Sequence, residues 1–243
     1  MLAGSALLAA AQTAPTPVTP QRVSPSAWFV QGLSALGSPA NQNFISNAGF
    51  VVTPAGVVVI DALGSPALAE RLLAQIRRIT PQPVTHVVLT HYHADHIYGL
   101  QALQAAGAKV LAHQGAREYL NSDTARLRLQ ASRTELAPWI DAQTRLVEPD
   151  EWITGPRELV LGGVRLQLIP VGPAHTPEDL VVHLPQEKVL FAGDLVFASA
   201  SPSSARRTAA AGSARWTRCS RCGRTSSCPG TGHSRTTPAP TCS

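Results

Sequence analysis

The chain has 243 residues, 44% of them hydrophobic, enough for one sizeable domain, and no apolar run approaches the ~18–20 residues that cross a bilayer as a helix. Its formal charge of +5 is unevenly placed: residues 201–243 carry seven arginines and no acid, leaving thirteen basic against fifteen acidic residues before them. The basic character belongs to the tail, so the body offers no polyanion-binding composition and a nucleic-acid partner is not expected.

In chain order, Leu2 to Ala11 has the apolar core and Ala-x-Ala-type end of a secretory signal peptide, without its positive flank. It predicts export to the periplasm, with a cytoplasmic location as the alternative. Residues 12–26, with four prolines, predict an extended lead-in. Residues 44–53 and 56–61 are β-rich runs around the turn signal Pro54-Ala55-Gly56, and they predict a hairpin. From Pro66 to Ile79 the apolar residues Leu68, Leu72, Leu73 and Ile76 recur at helical spacing, with Ser65 as cap and proline at the first helical position. Val84–Leu89 reads as a strand buried on both faces. A helix over about 98–106, a strand over 109–112 and a long polar helix over about 115–136 come next. Residues 158–170 predict a hairpin around Gly162-Gly163, and 180–184 and 188–192 predict two more strands. This alternation predicts a layered α/β domain with mixed sheets over residues 27–200.

Chemistry concentrates at Thr90-His-Tyr-His-Ala-Asp-His96, directly after the buried strand. Three imidazoles and a carboxylate within six residues form a ligand set for divalent zinc, which takes nitrogen and carboxylate oxygen and leaves a position open for water when catalytic. His91 and His93 are two apart, so both rings can leave an extended segment on one side. By contrast His86 and His183, isolated within apolar strands, read as packed residues, as does His113 after its strand. The arginines of 117–135 read as a solvated helix face.

The pattern His91-x-His93-x-Asp95-His96 resembles the signature of the metallo-β-lactamase fold superfamily. Gly172-Pro-Ala-His175-Thr-Pro-Glu-Asp-Leu resembles that family's third histidine motif, Val189-Leu-Phe-Ala-Gly-Asp194 its Gly-Asp motif, and Val57-Val-Val-Ile-Asp61 its first patterned strand. The likeness covers roughly residues 27–200 and is nearest to the glyoxalase-II-like and SoxH-like branch. It implies a four-layer αββα sandwich. It also implies a binuclear centre, with His91, His93 and His175 on one metal, Asp95 and His96 on the other, and Asp194 between them. Asp61 would prop the metal loop from behind. Histidine at 93 favours two Zn2+ over di-iron, although iron stays open. The implied activity is hydrolysis of a small ester, thioester or lactam by metal-activated hydroxide, with Asp95 also relaying a proton. A β-lactamase proper is the alternative enzyme, and an inactive metal-binding product the non-enzyme alternative.

After Ala200 the chain changes character. Residues 201–243 contain no Leu, Ile, Val or Phe, and they hold all four cysteines of the chain, Cys219, Cys222, Cys228 and Cys242. Such a segment cannot bury a core and predicts a disordered, basic tail. A cysteine-free body suits an oxidising compartment. Yet the family pattern requires a further helix, a strand and a final histidine here. Residues 215–243, written in GC-rich codons and shifted by two bases, read VDALLALRPDVVVPGHGPLADDPGADLL, which holds all three in order. We therefore expect a reading frame lost near residue 200, with the missing histidine straddling Gly230 and Thr231. His233 is the nearby candidate substitute ligand, a weak one, because ligand geometry tolerates little displacement. The expectation is an intact first metal site, a weakened second and an uncovered sheet edge.

Overall fold

The computed structural model describes residues 16–196. The signal-like segment, the tail and His233 lie outside the described residues, and with them the expectation of a lost C-terminal strand and helix.

Two sheets face one another. The first has seven strands in sequence order: β1 (Gln21–Arg22), β2 (Ala27–Val30), β3 (Ala48–Thr53), β4 (Gly56–Ile60), β5 (Val84–Val88), β6 (Lys109–His113) and β7 (Glu151–Ile153). The pairs from β1 to β4 are antiparallel and those from β4 to β7 parallel. The second sheet is antiparallel, with β8 (Arg157–Leu161), β9 (Val164–Pro170), β10 (Leu180–Leu184) and β11 (Val189–Phe191) in the order β11-β10-β9-β8. The helices are α1 (Pro66–Ile79), α2 (Ala94–Ile97), α3 (Leu100–Ala105), α4 (Ala116–Leu120) and α5 (Asp123–Glu135).

The run Val57-Val-Val-Ile60 shows why the sequence folds into layers. Successive side chains of a strand point to opposite faces. Val57 and Val59 join α1 and α3 residues such as Leu68, Leu72 and Leu103 in one core. Val58 and Ile60 join Leu166, Leu168, Leu180 and Val182 of the second sheet in the other. An unbroken apolar strand is thus a strand buried on both faces, and each such side chain contributes about 1.5–3 kcal/mol on burial. Among the described residues this gives three layers: helices, the large sheet and the small sheet. It is the mixed α/β sandwich expected from the pattern.

Several elements differ from the expectation. The proline-rich lead-in supplies a strand, β1, and β2 comes directly after it; Val18 is already buried and Arg71 donates to the Thr16 carbonyl. Proline suits this edge of the sheet, where no ladder donor is needed. The helix expected over about 98–106 is α3, Leu100–Ala105, and a further short helix, α2, precedes it inside the histidine motif from Ala94. The long polar helix also divides, at Asn121–Ser122, because the Ser122 side chain caps a new helix by accepting from the Ala125 N–H. The three-residue strand β7 has too short an apolar pattern to be read from sequence.

Between α2 and α3 the chain passes so close to the turn after β4 that a Cβ on Gly99 would lie 1.9 Å from the Ala62 carbonyl oxygen and 2.7 Å from the Ala69 Cβ. Gly99→Ala is therefore expected to destabilise the fold by about 1–3 kcal/mol, as overpacking does. Urea unfolding checks this; an unchanged midpoint would show that the two segments separate freely.

Candidate metal centre

The parallel strands β4 and β5 end side by side, and the site is built where they stop. Asp61 comes just after β4 with φ of 62°, a left-handed backbone, and its N–H donates to the Val88 carbonyl at 3.0 Å. Its buried carboxylate organises the segment that leaves β5. Oδ1 accepts from the Thr90 N–H at 2.8 Å, and Oδ2 accepts from the Thr90 hydroxyl at 2.8 Å and faces His96 Nδ1 at 3.0 Å. The Ala62 N–H also donates to the His96 carbonyl, so the turn after β4 holds α2 by backbone as well.

The other ligand-type residues come from the second sheet. His175 sits on the loop between β9 and β10, which is closed by Asp179 accepting from the Thr176 N–H and hydroxyl, both at 2.8 Å. The Leu180 N–H donates to the Thr90 carbonyl at 2.8 Å and docks that loop on the metal loop. Asp194 lies in a helical turn over Gly193–Leu195, after β11. Gly193 has φ of 53°, and a Cβ there would fall 2.6 Å from the Thr90 hydroxyl. Only glycine lets the backbone pass so near and turn Asp194 inward.

Six of the side chains anticipated from sequence converge. His91 Nε2 lies 3.1 Å from His93 Nδ1, and His175 Nε2 lies 2.9 Å from the same atom. The three rings stand nearly perpendicular to one another, with centroids 4.7–5.0 Å apart. Asp194 reaches both sides: Oδ1 is 3.3 Å from His96 Nε2, and Oδ2 is 3.7 Å from His175 Nε2. Asp95 Oδ2 is 3.6 Å from His96 Nε2. Among the described residues two groups have ligand atoms close enough to share an ion, His91 with His93 and His175, and His91 with His96 and Asp194. Asp95 stands beside the second group rather than within it. Asp61 lies behind His96, away from the convergence, as a prop would.

The donor set fits a cation. With Nδ1 of neutral His96 donating to Asp61, its Nε2 carries a lone pair, is buried and has no hydrogen-bond partner among the described residues. That lone pair faces the carboxylates of Asp194 and Asp95, an arrangement that only a positive charge relieves. In the metal-free chain a proton supplies it: burial opposes ionisation of His96, but Asp61, Asp194 and Asp95 outweigh it and raise its pKa to about 10. Burial and the charge of His96 lower His91 to about 4. Burial works against Asp194 as well, but His96 beside it and the other imidazoles lower it to about 2.

These shifts set a pH profile for the metal-free fold. His96, raised above its unfolded value of 6.5, contributes stability that is full below that pH and is lost as pH climbs through about 10. His91, lowered, contributes stability that is full above 6.5 and is lost as pH falls through about 4. The cluster should therefore favour folding most near pH 6–7. Chemical denaturation in chelator at pH 5, 6.5 and 9 tests this, and a profile flat from 6.5 to 9 would refute the charge assignment of His96.

Sequence reasoning missed the parts that hold the site together. Thr90 was legible only as the residue before the motif, yet it bonds Asp61 twice and His91 Nδ1 at 3.0 Å. Ser46, whose hydroxyl donates to the Asp95 carbonyl at 2.5 Å, carries no local signal. Tyr92 stacks on Tyr119 with ring centroids 3.9 Å apart, a contact between the metal loop and α4 that neither segment shows alone.

Two facing sheets with a tripod of imidazoles and a carboxylate pair at one end define a layered α/β fold of the metallohydrolase type with a candidate metal centre. The family model of the metallo-beta-lactamase superfamily matches residues 42–222, and the chain belongs to that superfamily. It is 26% identical over 166 residues to a metallo-beta-lactamase type 2 of Bacillus cereus, covering 68% of this chain and 57% of that one. It is 32% identical over 151 residues to a metallo-beta-lactamase type 2 of Bacillus sp. (strain 170), covering 62% and 51%. The chain thus spans about half the length of these curated relatives. Among solved structures, the metallo-beta-lactamase from Pontibacter korlensis superposes with a TM-score of 0.54 at 26% identity, covering 72% of this chain and 70% of that one.

Proposed function

We propose that this chain is a metal-dependent hydrolase that uses zinc and acts on a small ester, thioester or lactam. The observation that carries the reading is the buried Nε2 of His96 facing two carboxylates, beside a tripod of three imidazoles. His91, His93 and His175 would hold one ion, His96 and Asp95 a second, with Asp194 between them. Zinc held there would supply Lewis acidity and a water acidic enough to ionise near neutral pH. The chain's own residues do the rest. Asp61 fixes the orientation of His96 through Nδ1. Asp95 is only partly buried, so its carboxylate can take a proton from the attacking water and return it to the leaving group. His93 and His175, on the open side of the cluster, define where substrate enters. The signal-like first residues support export, and no helix among the described residues is long and apolar enough to cross a membrane.

The names of the Bacillus relatives favour a second reading, antibiotic hydrolysis. Parallel assays with a chromogenic cephalosporin and with a thioester such as S-lactoylglutathione separate the two. Turnover of the first alone supports a β-lactamase, of the second alone a glyoxalase-II-like enzyme, and of neither by a zinc-loaded chain refutes both. The altered tail adds a further test. A frame-repaired chain, carrying Pro-Gly-His-Gly in place of residues 228–231, should bind two zincs where the unrepaired chain binds one or fewer. Two tightly held ions in both would show that His233 or another tail residue completes the site.

A further inference from the structure

His91 lies in both candidate ligand groups, so the segment that carries it must be held to a fraction of an ångström. Its two chain neighbours are each tied to residues 178–180. On one side the Thr90 carbonyl accepts from the Leu180 N–H at 2.8 Å, a backbone bond that most side chains would permit. On the other, the Tyr92 N–H donates to Glu178 Oε1 at 3.2 Å, a bond that depends on the side chain at 178.

Glu178 is an expensive residue to place there. It is 2% exposed, and its Oε2 has no hydrogen-bond partner among the described residues. A buried polar atom left unpaired costs free energy that an apolar side chain of the same size would not. The neighbourhood confines it further. A Cβ on Gly115 would lie 2.7 Å from the Glu178 Cβ, and the Tyr92 ring is packed on Tyr119 of α4. Asp179, by contrast, spends its carboxylate within its own loop on Thr176. What Glu178 alone supplies is an acceptor that crosses from the His175 loop to the His91–His93 loop. Burial pushes its carboxyl up, and either protonation state leaves Oε1 able to accept.

We infer that Glu178 is a positioning residue, which locks the loop carrying His175 to the loop carrying His91 and His93 and so sets the convergence of the three imidazoles. The inference rests on the metal-centre reading above. It makes Glu178 part of how the first ion is held, without contact between its carboxylate and that ion.

Two variants of the full chain test it, with Co2+ as the probe. Glu178→Met keeps the volume and removes the acceptor; Glu178→Gln keeps the acceptor. Co2+ affinity is measured by competition with a chelator, and ligand geometry by the d–d absorption of bound Co2+. Glu178→Met is expected to weaken binding by about 10–100-fold, the range for groups that orient ligands, and to alter the absorption bands. Glu178→Gln should stay within a few-fold of the parent with the same bands. Equal affinity and spectra for Glu178→Met and the parent would overturn the inference while leaving the metal centre intact. A parent chain that binds no Co2+ would overturn the metal-centre reading, and this inference with it. If Glu178→Met does not fold, amide exchange at Tyr92 in the parent decides. Strong protection is expected, and exchange at the rate of a free loop amide would refute the lock.

Discussion

Replacing His91 with alanine in the frame-repaired chain is expected to abolish metal binding at both proposed positions and to lower hydrolysis by roughly three orders of magnitude. The size comes from losing metal-ion catalysis worth several kcal/mol, at 1.36 kcal/mol per decade of rate. The breadth comes from geometry. His91 is shared by the group with His93 and His175 and by the group with His96 and Asp194. It is also 2% exposed, so water is poorly placed to fill the missing ligand's place. His93 lies in one group only and Asp194 in the other. His93→Ala should lose the metal of its own group more than that of the other, Asp194→Ala, which removes the carboxylate between the two, should weaken both, and His91→Ala should exceed either. Zinc per chain by mass spectrometry, beside steady-state turnover, makes the comparison. A His91→Ala protein that keeps its zinc and its rate would show that the ion sits elsewhere.

The second large effect is expected at Asp61, a residue that would touch neither metal nor substrate. Asp61→Ala strips the acceptor from the Thr90 N–H, the Thr90 hydroxyl and His96 Nδ1, all in a buried setting. Breaking one side of a buried, hydrogen-bonded charge pair costs about 3–5 kcal/mol, enough to consume much of a domain's stability of about 5–15 kcal/mol. Asp61→Asn is the more informative change. Its amide would face His96 Nδ1 with a donor, or else give up the bond to Thr90. His96 is then driven to carry its proton on Nε2, which removes the lone pair a metal needs. Zinc affinity should fall about 10–100-fold while the fold survives. Unfolding in chelator reads the first effect and zinc competition the second. A normal zinc affinity in Asp61→Asn would mean that His96 is not a ligand.

Much of this architecture was legible because two periodicities are strong here. The Val57–Ile60 run of β4 has no polar residue, which marks a strand buried on both sides, whereas β5 carries the half-buried Thr85 and His86 before its buried Val87 and Val88. The 3.6-residue spacing of Leu68, Leu72 and Ile76 marks a helix with one buried face. Where the pattern misled, a local interaction had intervened: the Ser122 cap splits a polar stretch that has no apolar stripe to hold it as one helix. The strands β1 and β2 were missed because an edge strand needs a partner more than a pattern.

The sequence by itself determined the identities and local spacing of His91, His93, Asp95 and His96, because a strand end leading into a tight turn fixes their placement within one short segment. It also showed that residues 201–243 contain no Leu, Ile, Val or Phe. Only the tertiary structure decided that His175 and Asp194, about 80 and 100 positions along the chain, arrive at the same point. It alone decided that Thr90, Ser46 and Glu178 hold the loops in register. The physical reason is that ligand type is a property of a residue. Convergence is a property of two sheets packed face to face, and hydrogen bonds between loops far apart in sequence leave no period to read.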